Sequence, residues 1–146
     1  MRSYLLASLV AGLVYAIAGP LFVHLVLPQE TVDEFISTFR SIEGAAGTDS
    51  GELGVLHVVL ALAIRLLFGF LTMAAFAWFG RGRPRFRAAR LAGLFALLGY
   101  VALLGLQLTH GLSVHAALVA FGYCVLETQF AAHLGALVWR KAPPKP

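Results

Sequence analysis

The chain has 146 residues, of which 60% are hydrophobic and 12% are charged. An ordinary soluble domain has about 45–50% apolar and about 25% charged residues, so the composition excludes that class and indicates one membrane domain over residues 1–146. The one cysteine, Cys124, excludes an intrachain disulfide. The net charge of +4 is informative only through its distribution along the chain.

Four stretches are long and apolar enough to cross a bilayer as helices, which takes about 20 residues each. They cover about residues 4–27, 53–79, 91–110 and 114–139. Backbone amides in hydrocarbon must be satisfied within the segment, so the sequence predicts an all-α fold, a four-helix transmembrane bundle. Only the turn 111–113 separates the last two spans, and Ser113 is a natural N-cap. These spans are therefore predicted to form an antiparallel hairpin.

The connection between the first two spans contains an amphipathic pattern. Apolar residues recur at helical spacing at Val32, Phe35, Ile36, Phe39 and Ile42. The run from Thr31 to Glu34 has the form of a capping box, and Gly44 is a natural stop. We predict a short helix over residues 31–43, which lies on the outer membrane surface or across the mouth of the bundle.

Basic and acidic residues fall on opposite sides of the predicted bundle. The loop 80–90 carries Arg81, Arg83, Arg85, Arg87 and Arg90, and the termini carry Arg2, Arg140, Lys141 and Lys145. The connection 28–52 holds six acidic residues against one arginine, Arg40. Since Lys and Arg accumulate in cytoplasmic loops, both termini are predicted to be cytoplasmic. The basic loop is expected to contact anionic lipid headgroups.

Arg65 and Glu127 each lie close to the middle of a predicted span. A lone charge at that depth costs ~2.5–3.5 kcal/mol, so opposite charges at matching depth predict a pair. Tyr123 lies four residues before Glu127 and shares its helix face. Further hydrogen bonds could come from Tyr15, Tyr100 and Gln129. Three interpretations stay open: a clamp that fixes helix register, a proton- or ligand-handling site, and a protonated Glu127 bonded to Tyr123.

Small residues at helical spacing predict where the helices approach closely. One stripe lies on the first span, at Ser8, Gly12 and Ala16. The third span carries Gly99, Ala102 and Gly105, and the fourth carries Ala116, Ala120 and Cys124. Cys124 is therefore expected to be a packing residue.

Four histidines lie near the outer ends of the predicted spans: His24, His57, His110 and His115. Four imidazoles at one depth could bind zinc or copper, and two on facing helices could ligate a b-type haem. No pair has the i, i+4 spacing of a helical metal site, and histidines that reach interfacial water explain the pattern too. His133 is expected to be a packed or hydrogen-bonded residue.

Three features of the C-terminal half occur together: the loop at Pro84-Arg85-Phe86, the mid-span Glu127, and the exit from Gly135 to Arg140. In this combination the half resembles small bacterial membrane proteins of uncharacterised families. Such proteins have a glycine-rich continuation after the loop, whereas Arg87-Ala88-Ala89 follows here. The resemblance implies a four-helix protein of the bacterial plasma (inner) membrane, and it implies no activity.

The sequence favours a non-enzymatic accessory subunit, or a bundle that binds a ligand or partner. It contains no paired-carboxylate site, no nucleophile with a base and no phosphate-binding loop. The alternative is a redox module with a b-type haem or a quinone near the outer histidines. A second alternative is an oligomeric channel or transporter component, in which Arg65 would favour anions. The expected partners are the bilayer and a membrane protein or a second copy, and no nucleic acid.

Overall fold

The computed structural model describes the backbone of residues 2–45 and 55–139. Within these ranges, the side chains of residues 2, 19–20, 22–24, 26, 35, 39–40, 42–45, 55–58 and 60–61 lie outside the description. The described chain forms five helices: α1 (Arg2–Val26), α2 (Gln29–Ala45), α3 (Val55–Phe79), α4 (Arg85–Thr109) and α5 (Val114–Val138). The predicted all-α class is confirmed for these residues.

Three helices are long and apolar enough to cross a membrane: α4, α5 and the Leu62–Phe79 part of α3. A helix of 25 residues is about 37 Å long, which exceeds the ~30 Å of the hydrocarbon core. Large apolar side chains are exposed along all three, for example Leu67, Leu98 and Leu126. Such exposure suits contact with lipid chains, so these helices identify a membrane protein. In α1, the described apolar stretch covers Ser3–Ala18.

The long helices pack through small side chains. α1 contacts α3 and α5, and α4 contacts α5 and α3. Alanines make up most of the buried core, at positions 7, 11, 75, 88, 89, 92, 131, 132 and 136, together with Tyr15, Met73 and Phe76. Lipid chains are as apolar as the helix surfaces, so close backbone approach provides the packing energy.

The closest helix contact joins α1 and α3. A Cβ atom added to Gly69 would overlap the backbone of Gly12 and approach the carbonyl oxygen of Ser8. Ser8 and Gly12, two of the small residues predicted on the first span, therefore lie where α1 crosses α3. On its other side, α1 meets α5 where a Cβ at Gly135 would lie 3.1 Å from the Ala7 carbonyl oxygen.

The predicted stripe on α4 is only partly at a contact. A Cβ added to Gly99 would lie 3.1 Å from the ring of Phe68. Ala102 and Gly105 are exposed, and nothing lies within 4 Å of a Cβ at Gly105. Cys124 on α5 is buried, as expected for a packing residue.

The turn between α4 and α5 forms as predicted. The Ser113 hydroxyl accepts a hydrogen bond from the Ala116 amide at 3.2 Å, which is the expected N-cap. The Ser113 amide in turn donates to the carboxylate of Glu34 on α2. This bond, with packing contacts from α2 to α4 and α5, places α2 against the α4–α5 turn.

The start of α2 differs from the prediction. The helix begins at Gln29 instead of residue 31, and the Thr31 amide donates to the carbonyl oxygen of Pro28 at 3.0 Å. Thr31 therefore lies inside the helix, and Glu34 is engaged by Ser113. The predicted capping box is wrong because the helix begins two residues earlier, so Thr31 is not its N-cap. Three of the predicted apolar side chains, and Gly44, lie outside the described side chains.

Helix α4, which corresponds to the third predicted span, also begins earlier than predicted. It starts at Arg85, whereas the apolar pattern placed its start near residue 91. A hydropathy pattern detects only the part of a helix that lies in hydrocarbon. It ends at arginines even where the same helix continues into the interface. Ala88 and Ala89 are buried in this extension, so packing stabilises it. Arg85, Arg87 and Arg90 therefore lie on α4 instead of in a loop.

Candidate functional site

Each of the four long helices contributes a polar residue near its middle. Tyr15 on α1, Arg65 on α3, Tyr100 on α4 and Glu127 on α5 all lie within three residues of the midpoint of their helix. Together with Tyr123, they form the mid-span cluster. Polar groups at this depth are unfavourable unless they contact one another, so their mutual contacts decide whether the cluster is stable.

Arg65 and Glu127 form the predicted ion pair. Arg65 Nη1 lies 3.7 Å from Glu127 Oε1, and the Glu127 side chain is 1% exposed while that of Arg65 is 34% exposed. The same Nη1 donates a hydrogen bond to the backbone carbonyl of Tyr15. The guanidinium therefore connects the backbone of α1 to the carboxylate of α5.

Two tyrosines complete the surroundings of the Glu127 carboxylate. The Tyr123 hydroxyl donates to Glu127 Oε1 at 2.8 Å, as its position one helical turn away predicts. The Tyr100 side chain lies close to the same carboxylate. Glu127 thus contacts donors from α3 and α5, beside Tyr100 of α4, which satisfies a buried charge that would otherwise be strongly destabilising.

Tyr15 contributes to the cluster through its backbone and its ring. Its hydroxyl pairs with Thr72 Oγ1 of α3 at 3.0 Å. Its ring centroid lies 6.2 Å from that of Tyr100 and 6.1 Å from that of Phe68. The ring therefore covers the cluster on the α1 side. Nothing in the sequence predicts that a backbone carbonyl accepts a hydrogen bond from Arg65, so only the structure reveals this contact.

Gln129, expected among the hydrogen-bonding residues of the cluster, lies elsewhere. Its side-chain nitrogen donates to the carbonyl oxygen of Arg90 at 3.3 Å. A Cβ added to Gly93 would also overlap the Gln129 amide, so this side chain fills a gap between α4 and α5. The expectation is wrong because two residues along a helix turn a side chain to a different face.

The histidines are only partly described. The side chains of His24 and His57 lie outside the described residues. His110 is the C-cap of α4 and His115 is exposed in the first turn of α5. Within the described residues, no group of three His, Cys, Asp or Glu could hold a metal ion. The zinc or copper site of the four outer histidines and the two-histidine haem site stay predictions.

His133 is packed, as expected. Its Nδ1 lies 2.7 Å from the carbonyl oxygen of Gln129, and its ring meets that of Phe86 edge-on, with centroids 4.9 Å apart. The contact joins the C-terminal half of α5 to the first turn of α4. Ring packing and one hydrogen bond therefore engage this histidine.

Three arginines of the basic segment contact the ends of the helices. The Arg81 guanidinium lies 5.4 Å from the Trp78 ring centroid. Arg83 Nη1 donates to the Phe79 carbonyl at 3.3 Å. Arg85 Nη2 donates to two carbonyls at the end of α5, those of Leu137 at 2.8 Å and Trp139 at 2.6 Å.

Arg87 and Arg90, the other two arginines expected to meet lipid headgroups, are exposed on α4. The C-terminal basic residues Arg140, Lys141 and Lys145 lie outside the described residues. The five arginines from 81 to 90 therefore divide into three that contact helix ends and two that face outward. This division could not be read from the spacing of the arginines in the sequence.

No protein-family model, curated protein or solved structure matches this chain. The resemblance of its C-terminal half to small bacterial membrane proteins accordingly stays a prediction. The function must be inferred from the mid-span cluster and the surfaces of the helices themselves.

Proposed function

We propose that the chain is a four-helix transmembrane protein of the bacterial plasma (inner) membrane, with both termini on the cytoplasmic side and α2 in the external connection. The length of α1 supports this proposal, since its 25 residues equal those of the apolar helices that it packs against. An even number of crossings puts the basic termini and the α3–α4 arginines on one side. That is the charge distribution typical of cytoplasmic segments.

Within the membrane, the proposed role is that of a non-enzymatic accessory subunit that presents Arg65 to a membrane protein or to a second copy. The observation that carries this role is the 34% exposure of the Arg65 side chain near the middle of α3. A charge at mid-span is unfavourable by up to ~2.5–3.5 kcal/mol. A polypeptide that covers Arg65 and accepts its remaining N–H donors would therefore favour association.

The surroundings of Glu127 support a structural role for the carboxylate. A general acid or base must reach a substrate or a water molecule with its proton. Glu127 is 1% exposed, and Arg65 and Tyr123 already contact its oxygens. These contacts hold α3 and α5 in register, which leaves Arg65 as the charged group of the cluster that has exposed surface.

Chemical crosslinking in native membranes tests the accessory role. Arg65→Leu combined with Glu127→Leu removes the pair without leaving a lone charge. We expect the natural chain to give a discrete crosslinked complex that this double variant loses. Leu67→Ala is the matched control, because Leu67 lies on the same helix and is 55% exposed. A species of twice 15.6 kDa would identify a second copy as the partner.

Two results would contradict the accessory role: a natural chain that crosslinks to nothing, and a complex that persists in the double variant. Thermal unfolding of the double variant in detergent establishes that it is folded. An absorption spectrum of the same preparation addresses the redox alternative, since a Soret band that shifts on reduction indicates haem. The oligomeric channel stays a prediction, and ion flux through reconstituted vesicles tests it.

A further inference from the structure

A cavity of ≈ 600 Å³ lies where α3 and α5 end and α4 begins. Three arginines line it, Arg81, Arg83 and Arg85. The rest of the lining is mostly apolar and includes Phe76, Leu137 and Trp139. Its volume falls within the range of small-molecule sites, about 300–1,000 Å³, and is far larger than a single inorganic anion requires.

The three guanidinium groups are positioned by the protein and still have free donors. Arg85 donates through Nη2 to two carbonyls, Arg83 donates through Nη1 to one, and Arg81 lies over an indole ring. A guanidinium has five N–H donors in a fixed plane. Each arginine can therefore hold an oxyanion without giving up the contact that orients it.

No acidic residue of the chain lies near these arginines in sequence. Six of the seven acidic residues fall within residues 30–52, and the seventh is Glu127. The first six are separated from Arg81 by the whole of α3, and Glu127 is paired with Arg65. The positive charge of the cavity therefore calls for an anion from outside the chain.

The first turn of α4 adds to the positive potential at the cavity. Its N-cap, Pro84, makes no side-chain cap hydrogen bond, and the helical bonding begins with the Ala88 amide donating to the Pro84 carbonyl at 3.0 Å. The amides of residues 85–87 thus have no partner within the helix. Unpaired amides and the helix dipole favour an anion at this position.

We propose that the cavity binds the phosphate-bearing headgroup of an anionic amphiphile. The phosphate contacts Arg81 and Arg83 beside Arg85, and the apolar chain lies along Leu137. Arginine suits this group because its planar donors match the geometry of phosphate oxygens. Leu137 is 67% exposed, so the apolar lining of the cavity continues into the outer face of α5. The inference rests on the proposed membrane topology, because such a ligand arrives from the bilayer interface.

Binding of short-chain phosphatidic acid to the purified full chain in a non-ionic detergent tests this proposal. Native mass spectrometry measures the binding, with phosphatidylcholine of equal chain length and inorganic phosphate as separate arms. We expect phosphatidic acid to bind at least about tenfold more tightly than either, because only it combines a strongly anionic phosphate with an apolar chain.

Matched arginine variants locate the site. Arg81→Gln with Arg83→Gln should weaken phosphatidic acid binding about thirtyfold. Arg87→Gln with Arg90→Gln removes the same charge from exposed positions that do not line the cavity, so it should weaken binding less than about threefold. Leu137→Gln should weaken binding of phosphatidic acid and leave inorganic phosphate binding unchanged.

Three outcomes would overturn the proposal. Equal losses in the two double arginine variants would mean that only general surface charge attracts the lipid. Inorganic phosphate that binds as tightly as phosphatidic acid would exclude an amphiphile, and absence of binding in every arm would exclude the site. The crosslinked complex that depends on Arg65 is measured in the same arginine and Leu137 variants. If lipid binding fails while this complex persists, the accessory role is not contradicted.

Discussion

Arg65 and Arg85 make similar contacts in two different parts of the molecule. Each donates to backbone carbonyls of a neighbouring helix, Arg65 to that of Tyr15 and Arg85 to those of Leu137 and Trp139. They differ in depth and in counter-charge, because Arg65 lies near the middle of α3 and 3.7 Å from Glu127, whereas Arg85 lies at the N-terminal end of α4. The depth of an arginine in the membrane therefore determines which partners its guanidinium requires.

The physical reason lies in the surroundings of each charge. Near mid-span, neither water nor headgroups can solvate a guanidinium, so a carboxylate of the chain must do so. At the helix ends, water and lipid phosphates are available, and a guanidinium can instead bind the carbonyls that a helix leaves unpaired at its C-terminus. Three experiments test this contrast between mid-span and helix-end arginines.

Glu127→Leu should have the largest effect. It leaves Arg65 without a counter-charge near mid-span, so we expect the free energy of unfolding to fall by about 2.5–3.5 kcal/mol. Unfolding by heat and by SDS in detergent micelles measures this change. The double variant with Arg65→Leu should recover much of the loss, since it buries two apolar side chains in place of the pair. A single variant as stable as the natural chain would refute the clamp.

Gly69→Ala should have an intermediate effect. The added methyl group would overlap the backbone of Gly12, so α1 must move away from α3. We expect a loss of about 1–3 kcal/mol, typical of overpacking. Because Arg65 binds a carbonyl of α1, the movement also weakens that contact.

Gly105→Ala is the matched control for the glycine variant. Nothing lies within 4 Å of a Cβ at this position of α4, so alanine should be neutral or slightly stabilising in the helix. Equal melting temperatures for the two glycine variants would mean that the α1–α3 crossing does not hold Arg65 in place.

Arg85→Gln should have the smallest effect. It weakens two hydrogen bonds at the exposed end of α5, and we expect a loss of about 1 kcal/mol. Amide hydrogen exchange should show local opening near residues 135–139 without a change at mid-helix. Arg87→Gln, which removes an exposed neighbouring charge, should leave exchange unchanged. If Arg85→Gln were as destabilising as Glu127→Leu, depth would not explain the contrast.

Much of this organisation could be predicted because it is local. The long apolar runs, the Ser113 cap and the shared face of Tyr123 and Glu127 follow from hydropathy, capping chemistry and helical spacing. The pairing of Arg65 with Glu127 was also predictable, because two opposite charges at matching depth have few other partners. The errors were at the start of α4, which extends to Arg85, at Glu34, which binds Ser113, and at Gln129, which binds the Arg90 carbonyl.

Hydropathy and the order of charges along the chain predict which segments are helical and which end of the molecule is basic, because amides in hydrocarbon bond within their own segment and each charge has a known position. The packed helices alone show that the Tyr15 carbonyl meets Arg65, that Gln129 turns away, and that three arginines line a cavity. Those contacts depend on how each helix is rotated about its axis. Helices that are apolar on every side do not encode that rotation, so close packing at glycines and alanines decides it.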